Sequence, residues 1–317
     1  MTYFWGISMT TFASCQGFPR IGFFSTAGSS IIHWILAYYL AVDLDMKMLG
    51  VAIASSVQFF MRFLISFVFC FANPKLRRSM ISLTNAESWK NLGDMFTIGF
   101  NSFLLRVMGW WAFDVFTQMA AALTETDVAT QTILRNIGLF TYMIPVGLSG
   151  AVNFYTGKYI GKNRVDLAKR ISNLCMTVTF GWSFVSMAVV WFGMKPIMNF
   201  YTKDESVHQV AYQAWYVLTL FTFFDCMQGV SAGNISGLNL MAKVKWVTTI
   251  NYWVIGIPVA LYLMFKLDMG IEGLWYGPTL ACAFNYFIYE YVIKSADWHE
   301  IAAQVAKKMA AETNREE

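Results

Sequence analysis

The chain has 317 residues, 57% of them hydrophobic and only 13% charged. A soluble globular domain carries about twice that charged fraction, so the composition excludes one and points to an all-α polytopic membrane protein. The net charge of +4 offers no footing for nucleic acid, and the five scattered cysteines form no CxxC pair that would mark a metal site or disulfide framework.

Residues 4–15 are apolar but too short to cross a bilayer. Eight runs of spanning length follow, at about 21–42, 49–72, 95–123, 132–157, 171–194, 207–235, 244–266 and 270–293. Beyond Lys294 the chain turns polar. There Trp298, Ile301, Val305 and Met309 recur at helical spacing, which predicts an interfacial amphipathic helix over 295–313. Most of the 23 basic residues fall on one side of these runs, in 73–94, 158–170, Lys243, Lys245 and the tail. The opposite side holds only Lys47, Lys195, Lys203 and Lys266. By the positive-inside rule the basic side, C-terminus included, is expected in the cytoplasm. The membrane itself is expected to be the plasma membrane or that of an acidic intracellular compartment.

The sequence also repeats itself. Leu44-Asp45-Met46, followed by Gly50, returns as Leu267-Asp268-Met269, followed by Gly273. The two preceding runs cross in the same direction, so the copies read as a parallel repeat about an axis normal to the membrane. Four full runs precede the second copy and half a run precedes the first. A first lobe without its first three spans and half of its fourth is therefore expected.

Two acids lie deep in apolar runs. Asp114 closes the stretch Gly109-Trp110-Trp111-Ala112-Phe113-Asp114, with Trp110 four residues earlier on the same helical face. Asp225 stands in Phe223-Phe224-Asp225-Cys226-Met227-Gln228-Gly229. A carboxylate at membrane depth marks a cavity or a partner. Beside aromatic rings it suits an organic cation, through charge and cation–π attraction. The bland alternative is that Arg106 and Arg135 neutralise the acids; those arginines read as close enough to helix ends to reach the interface instead. Pro145 and Pro258 interrupt two further runs and could act as hinges or as fixed kinks. Asn153, Gln228, Asn234, Asn239 and Asn251 either line a wet cavity or tie helices together. His33, alone on an aromatic helix, reads as a satisfied packing residue.

Taken in order, Gly109-Trp110-Trp111-Ala112-Phe113-Asp114, Tyr142-Met143-Ile144-Pro145-Val146-Gly147-Leu148-Ser149, Gly256-Ile257-Pro258, Gly273-Leu274-Trp275 and Asp297-Trp298 resemble the multidrug and toxic compound extrusion (MATE) transporters of the eukaryotic type. The resemblance implies a two-lobe fold of twelve spans, incomplete here in its first lobe. About eight spans and a partial N-terminal one would remain. Residues 1–72 would end the N-terminal lobe, 73–94 would form a cytoplasmic inter-lobe loop, 95–293 a complete six-helix C-terminal lobe, and 294–317 a cytoplasmic tail. It implies export of organic cations or other xenobiotics by alternating access, in exchange for protons or sodium, with no cofactor beyond the coupling ion. Asp114 and Asp225 fall at the family's acidic positions, where many members carry glutamate, and Gly109 departs from a frequent glutamate. Trp110, Trp111, Phe113, Gln228 and Asn153 are then expected to shape the pocket, with no nucleic acid and no known protein partner. The rival readings are a non-transporting receptor-like or scaffold remnant, and a membrane-embedded lipid enzyme. The enzyme would need clustered His or Asp, which the spacing does not supply.

Overall fold

A computed structural model describes residues 1–80, 85–90 and 92–316. Among them every regular element is helical, and long helices occupy all eight predicted runs. Five stretches, Pro19–Asp43, Lys47–Ala72, Glu125–Gly161, Val165–Phe192 and Met241–Lys266, are long and apolar enough to cross a membrane by length and composition. The remaining long helices carry polar residues in mid-course, such as Asp114, Asp225 and Gln228. Large apolar side chains including Phe184, Val189 and Phe192 are more than half exposed, the kind of surface that lipid covers favourably.

The chain divides into two compact units, Met1–Leu92 and Gly93–Glu317. The first contains α1 (Thr2–Cys15), α2 (Pro19–Tyr38, continued by a π-helical turn Tyr39–Asp43), α3 (Lys47–Ala72) and α4 (Pro74–Arg78). Proline at the first turn of α2 and of α4 costs no hydrogen bond, because those N–H groups have no helical partner. The Asn73 side chain accepts from the Lys75 N–H and caps α4.

The second unit contains α5 (Leu92–Ala120), α6 (Glu125–Gly161), α7 (Val165–Phe192), α8 (Met194–Tyr201) and α9 (Glu205–Gly237). It continues with α10 (Met241–Ile250), α11 (Ile257–Leu261), α12 (Gly270–Ser295) and α13 (Trp298–Glu316). A Thr124–Asp127 capping box starts α6. The tightest crossing is α6 on α9. Gly229, Gly233 and Gly237 recur every fourth residue, so they form one stripe. A Cβ at these positions would lie within 2.4–2.8 Å of the Tyr142 hydroxyl, the Ser149 carbonyl and the Asn153 carbonyl. Only glycine permits that approach, and Ser149 Oγ donates to the Gly229 carbonyl at 2.8 Å. The ladder Ser172, Cys175, Thr179, Ser183 and Ser186 gives α7 a buried face of small residues. Trp182 Nε1 ties α7 to the Thr141 carbonyl, and Trp215 Nε1 ties α9 to the Val190 carbonyl.

The repeat is a backbone device as well as a sequence match. In both copies a π-helical turn, Tyr39–Asp43 or Tyr262–Lys266, precedes it. Asp45 and Asp268 take φ of 48° and 52°, and Lys47 and Gly270 take 48° and 54°. Met46 N–H donates to Leu40 O, and Met269 N–H to Leu263 O. A Cβ on Gly50 or on Gly273 would meet Leu40 or Leu263 backbone at 2.8 Å.

The proline positions behave differently from one another. Pro145 is buried within a helix that runs on unbroken. Pro258 follows a second π-helical turn, Asn251–Gly256. A helical proline clashes with the carbonyl four residues earlier, and widening the preceding turn relieves it. The apolar face of α13, expected on the membrane surface, instead packs on protein: Trp298, Ala302, Ile301 and Val305 join a cluster with Ile160, Val165, Ile235 and Leu238. Those partners offer dry surface close at hand. The Met309 side chain lies outside the described residues.

Candidate functional site

The site grows from the middle of α9. Asp225 is 9% exposed, and its Oδ1 accepts a hydrogen bond from Gln228 Nε2, one turn on, at 3.2 Å. Cys282 Sγ on α12 approaches the same oxygen at 3.9 Å. Tyr252, in the π-helical turn before Pro258, meets Cys282 at 3.3 Å. Thr248 and Tyr289 share a 2.6 Å hydrogen bond nearby, and Asn251 donates to Asn285 at 2.8 Å.

Asp225 and Gln228 open on a cavity of about 860 Å³, its open side included. Trp110 and Phe113 from α5, Tyr142 from α6, Phe221 from α9, Tyr252 and Trp275 supply its aromatic wall. Phe113 sits 5.7 Å from Phe221 and 6.1 Å from Tyr252 between ring centres, and Phe221 packs edge-on to Trp275 at 5.1 Å. Gly109 leaves room for this contact, since a Cβ there would come within 3.2 Å of the Tyr252 ring and press on it. Trp253 Nε1 donates to the Met108 carbonyl at 3.1 Å and holds α5 against the π-helical turn.

The structure separates the two aspartates. Asp114 does not line the cavity. Its carboxylate is 56% exposed and accepts from Arg135 Nη2 at 2.7 Å, while Arg135 Nη1 donates to Thr117 at 3.1 Å. Arg135 does line the cavity. This corrects the expectation that it reaches for the membrane interface: a carboxylate on the neighbouring helix is within reach and the interface is not needed. The Arg106 side chain lies outside the described residues. Asp225 has no ion pair among the described residues.

Trp111 and Asn153 were expected in the pocket and lie outside it. Trp111 is one residue past Trp110, so it turns about 100° away; its ring meets Phe103 on the exposed side of α5. Asn153 is drawn into the α6–α9 crossing at Gly237. Pro145 and Pro258 also lie off the lining, although the turn that Pro258 widens delivers Tyr252. Tyr142, Tyr252, Trp275, Tyr289 and Arg135 belong to the cavity without having been predicted there. The quoted stretches around Tyr142 and Trp275 contained two of them, but nothing in their spacing showed which way the rings face.

With this geometry in hand, comparison with known proteins is decisive for the family. A family model described as MatE matches residues 102–262, just over half of the chain. The chain belongs to the MATE family. It is 25% identical over 256 residues to multidrug and toxin extrusion protein 1 of Oryctolagus cuniculus, covering 80% of this chain and 44% of that protein. Against multidrug and toxin extrusion protein 2 of Homo sapiens it is 27% identical over 281 residues, covering 87% and 46%. The chain thus spans about half the length of the curated relatives it matches. The crystal structure of the eukaryotic MATE transporter AtDTX14 superposes with a TM-score of 0.89 at 19% identity, covering 95% of this chain and 67% of that one. This MATE-family chain is accordingly a multi-pass integral membrane protein.

Proposed function

We propose that this MATE chain works in cation-coupled antiport, exporting organic cations or other xenobiotics by alternating access, with the proton as coupling ion. The observation that carries the reading is Asp225: one buried carboxylate without an ion pair among the described residues, facing a cavity walled by aromatic rings. An organic cation gains charge attraction from the carboxylate and cation–π contact from Trp110, Phe113 and Tyr252. A proton neutralises the same oxygens. The two ligands therefore compete, and that competition is the linkage an antiporter requires. Arg135 carries a charge already matched by Asp114, so it leaves the negative charge of Asp225 available. The Asp114–Arg135 pair ties α5 to α6 beside the cavity.

The test is binding of ethidium, a fluorescent organic cation, to the reconstituted chain at several pH values. Affinity should fall as pH falls. Asp225→Asn keeps the shape and the Gln228 contact but holds no charge, so it should lower affinity at high pH by about tenfold or more and flatten the pH profile. An Asn variant with the original affinity and the original pH dependence would make Asp225 structural. Proton-driven uptake of the dye into vesicles then tests the coupling itself.

A further inference from the structure

A second concavity lies in the same unit, apart from the aromatic cavity. It encloses about 1180 Å³ of space, open side included, between α7, α9, α12 and the start of α13. Its polar groups include Lys169, Asn173, Asn234, Glu290 and Lys294, and Trp298 forms part of its wall. Asn234 is 1% exposed, yet neither its amide nitrogen nor its amide oxygen has a hydrogen-bond partner among the described residues. A buried amide left with an unused donor and an unused acceptor is costly unless something in the groove satisfies it. Glu290 accepts from Ser231 at 2.7 Å, one helical turn before Asn234. Lys169 and Lys294 form no ion pair among the described residues. Two ammonium groups and the Glu290 carboxylate line the groove, and the exposed Asp297 carboxylate at its rim interacts with Lys169.

The surroundings say what kind of ligand fits. Lys169 lies in the first turns of α7, and Lys294 at the last turn of α12. Next to them stand Leu174 and Val178 of α7 and Phe287 and Tyr291 of α12, all large and exposed. A charged groove opening directly onto an apolar belt suits a molecule with a polar head and hydrocarbon tails. We propose that this groove binds the headgroup of an anionic phospholipid that carries an amine, of the phosphatidylserine type. The phosphate sits between Lys169 and Lys294, the ammonium faces Glu290, and Asn234 uses its free donor and acceptor on the headgroup.

Native mass spectrometry of the 317-residue chain, titrated with phosphatidylserine, phosphatidylglycerol and phosphatidylcholine, tests this. Phosphatidylserine should be retained above both others. Lys169→Gln and Lys294→Gln should each lower its retention about fivefold. Both lysines are exposed, so these variants keep the fold. Glu290→Gln, which can still accept from Ser231, should erase the preference for serine over glycerol headgroups while leaving both above phosphatidylcholine. The proposal is overturned if the lysine variants retain phosphatidylserine at the original level, or if phosphatidylglycerol binds as well as phosphatidylserine to the unaltered chain. Displacement of the lipid by equimolar glycerophosphoserine would also overturn it, by showing a site for soluble phosphates.

Discussion

Asp225 and Asp114 are the same residue type in two apolar helices, and their neighbours divide their roles. Asp114 has an arginine on the facing helix; Asp225 has an amide, a thiol and a cavity. Trp110 belongs to that cavity and Trp111 does not. Trp110→Ala should therefore weaken binding of an organic cation by roughly 2- to 30-fold, the value of one cation–π contact of about 0.5–2 kcal/mol. Trp111→Ala should leave it unchanged. Equal losses at both positions in a dye-binding titration would count against the assigned wall. His33, read from the sequence as a satisfied packing residue, keeps Nδ1 buried without a partner among the described residues. At the membrane edge, Asp297 accepts from the Glu300 and His299 N–H groups at the start of α13, and these bonds hold its carboxyl below the usual aspartate range. A depressed folded-state value means the cap stabilises the helix above the ordinary aspartate pKa, about 3.9. That stability is lost as pH falls through the depressed value. Protection of the His299 and Glu300 amides against hydrogen exchange, taken relative to the intrinsic rate at each pH, should thus be high at neutral pH and fall on acidification below about pH 4; in Asp297→Ala it should be low throughout.

At the level of elements, the repeated Leu-Asp-Met turn was legible because it combines a tripeptide with a glycine at fixed spacing. The structure supplies the reason for that pattern: two left-handed residues and a backbone approach too close for a Cβ. Lys47 is the imperfect member, since its counterpart is Gly270 and both take positive φ. A lysine in that conformation costs about 1–2 kcal/mol, which glycine avoids. Lys47→Gly should raise the unfolding midpoint of the first unit, and Gly270→Lys should lower that of the second. Opposite shifts in denaturant unfolding would show that the turns are not equivalent. The π-helical turn Asn251–Gly256 was not legible. Inserting one residue into a helical turn breaks the 3.6-residue period, so Tyr252 does not fall on the face that simple spacing assigns it. The glycine stripe of α9 became apparent only with its partner helix, whose backbone lies too close for a Cβ.

For the whole molecule, orientation is the property that basic residues predict most directly. Asp127 and Lys162 lie at opposite ends of α6, a helix of 37 residues and so roughly 55 Å in length. In a background without reactive native cysteines, Asp127→Cys should be labelled by an impermeant reagent from outside intact cells. Lys162→Cys should react only after permeabilisation. The reverse pattern would invert the membrane orientation while leaving the fold untouched.

Length, hydropathy and the ordered motifs by themselves determined that this is a helical membrane protein of the MATE type, and they located its long helices to within about seven residues at either end, but not the short α4 and α8. Those properties depend on the local cost of exposing backbone and polar groups to lipid, which each segment carries in its own composition. Which carboxylate faces the cavity, which arginine neutralises the other, and which rings enclose the space were decided only by tertiary structure. Helix rotation and the one-residue slip at Pro258 set where a side chain points. Both depend on the glycines, prolines and partners of neighbouring helices rather than on the residue's own surroundings in the sequence.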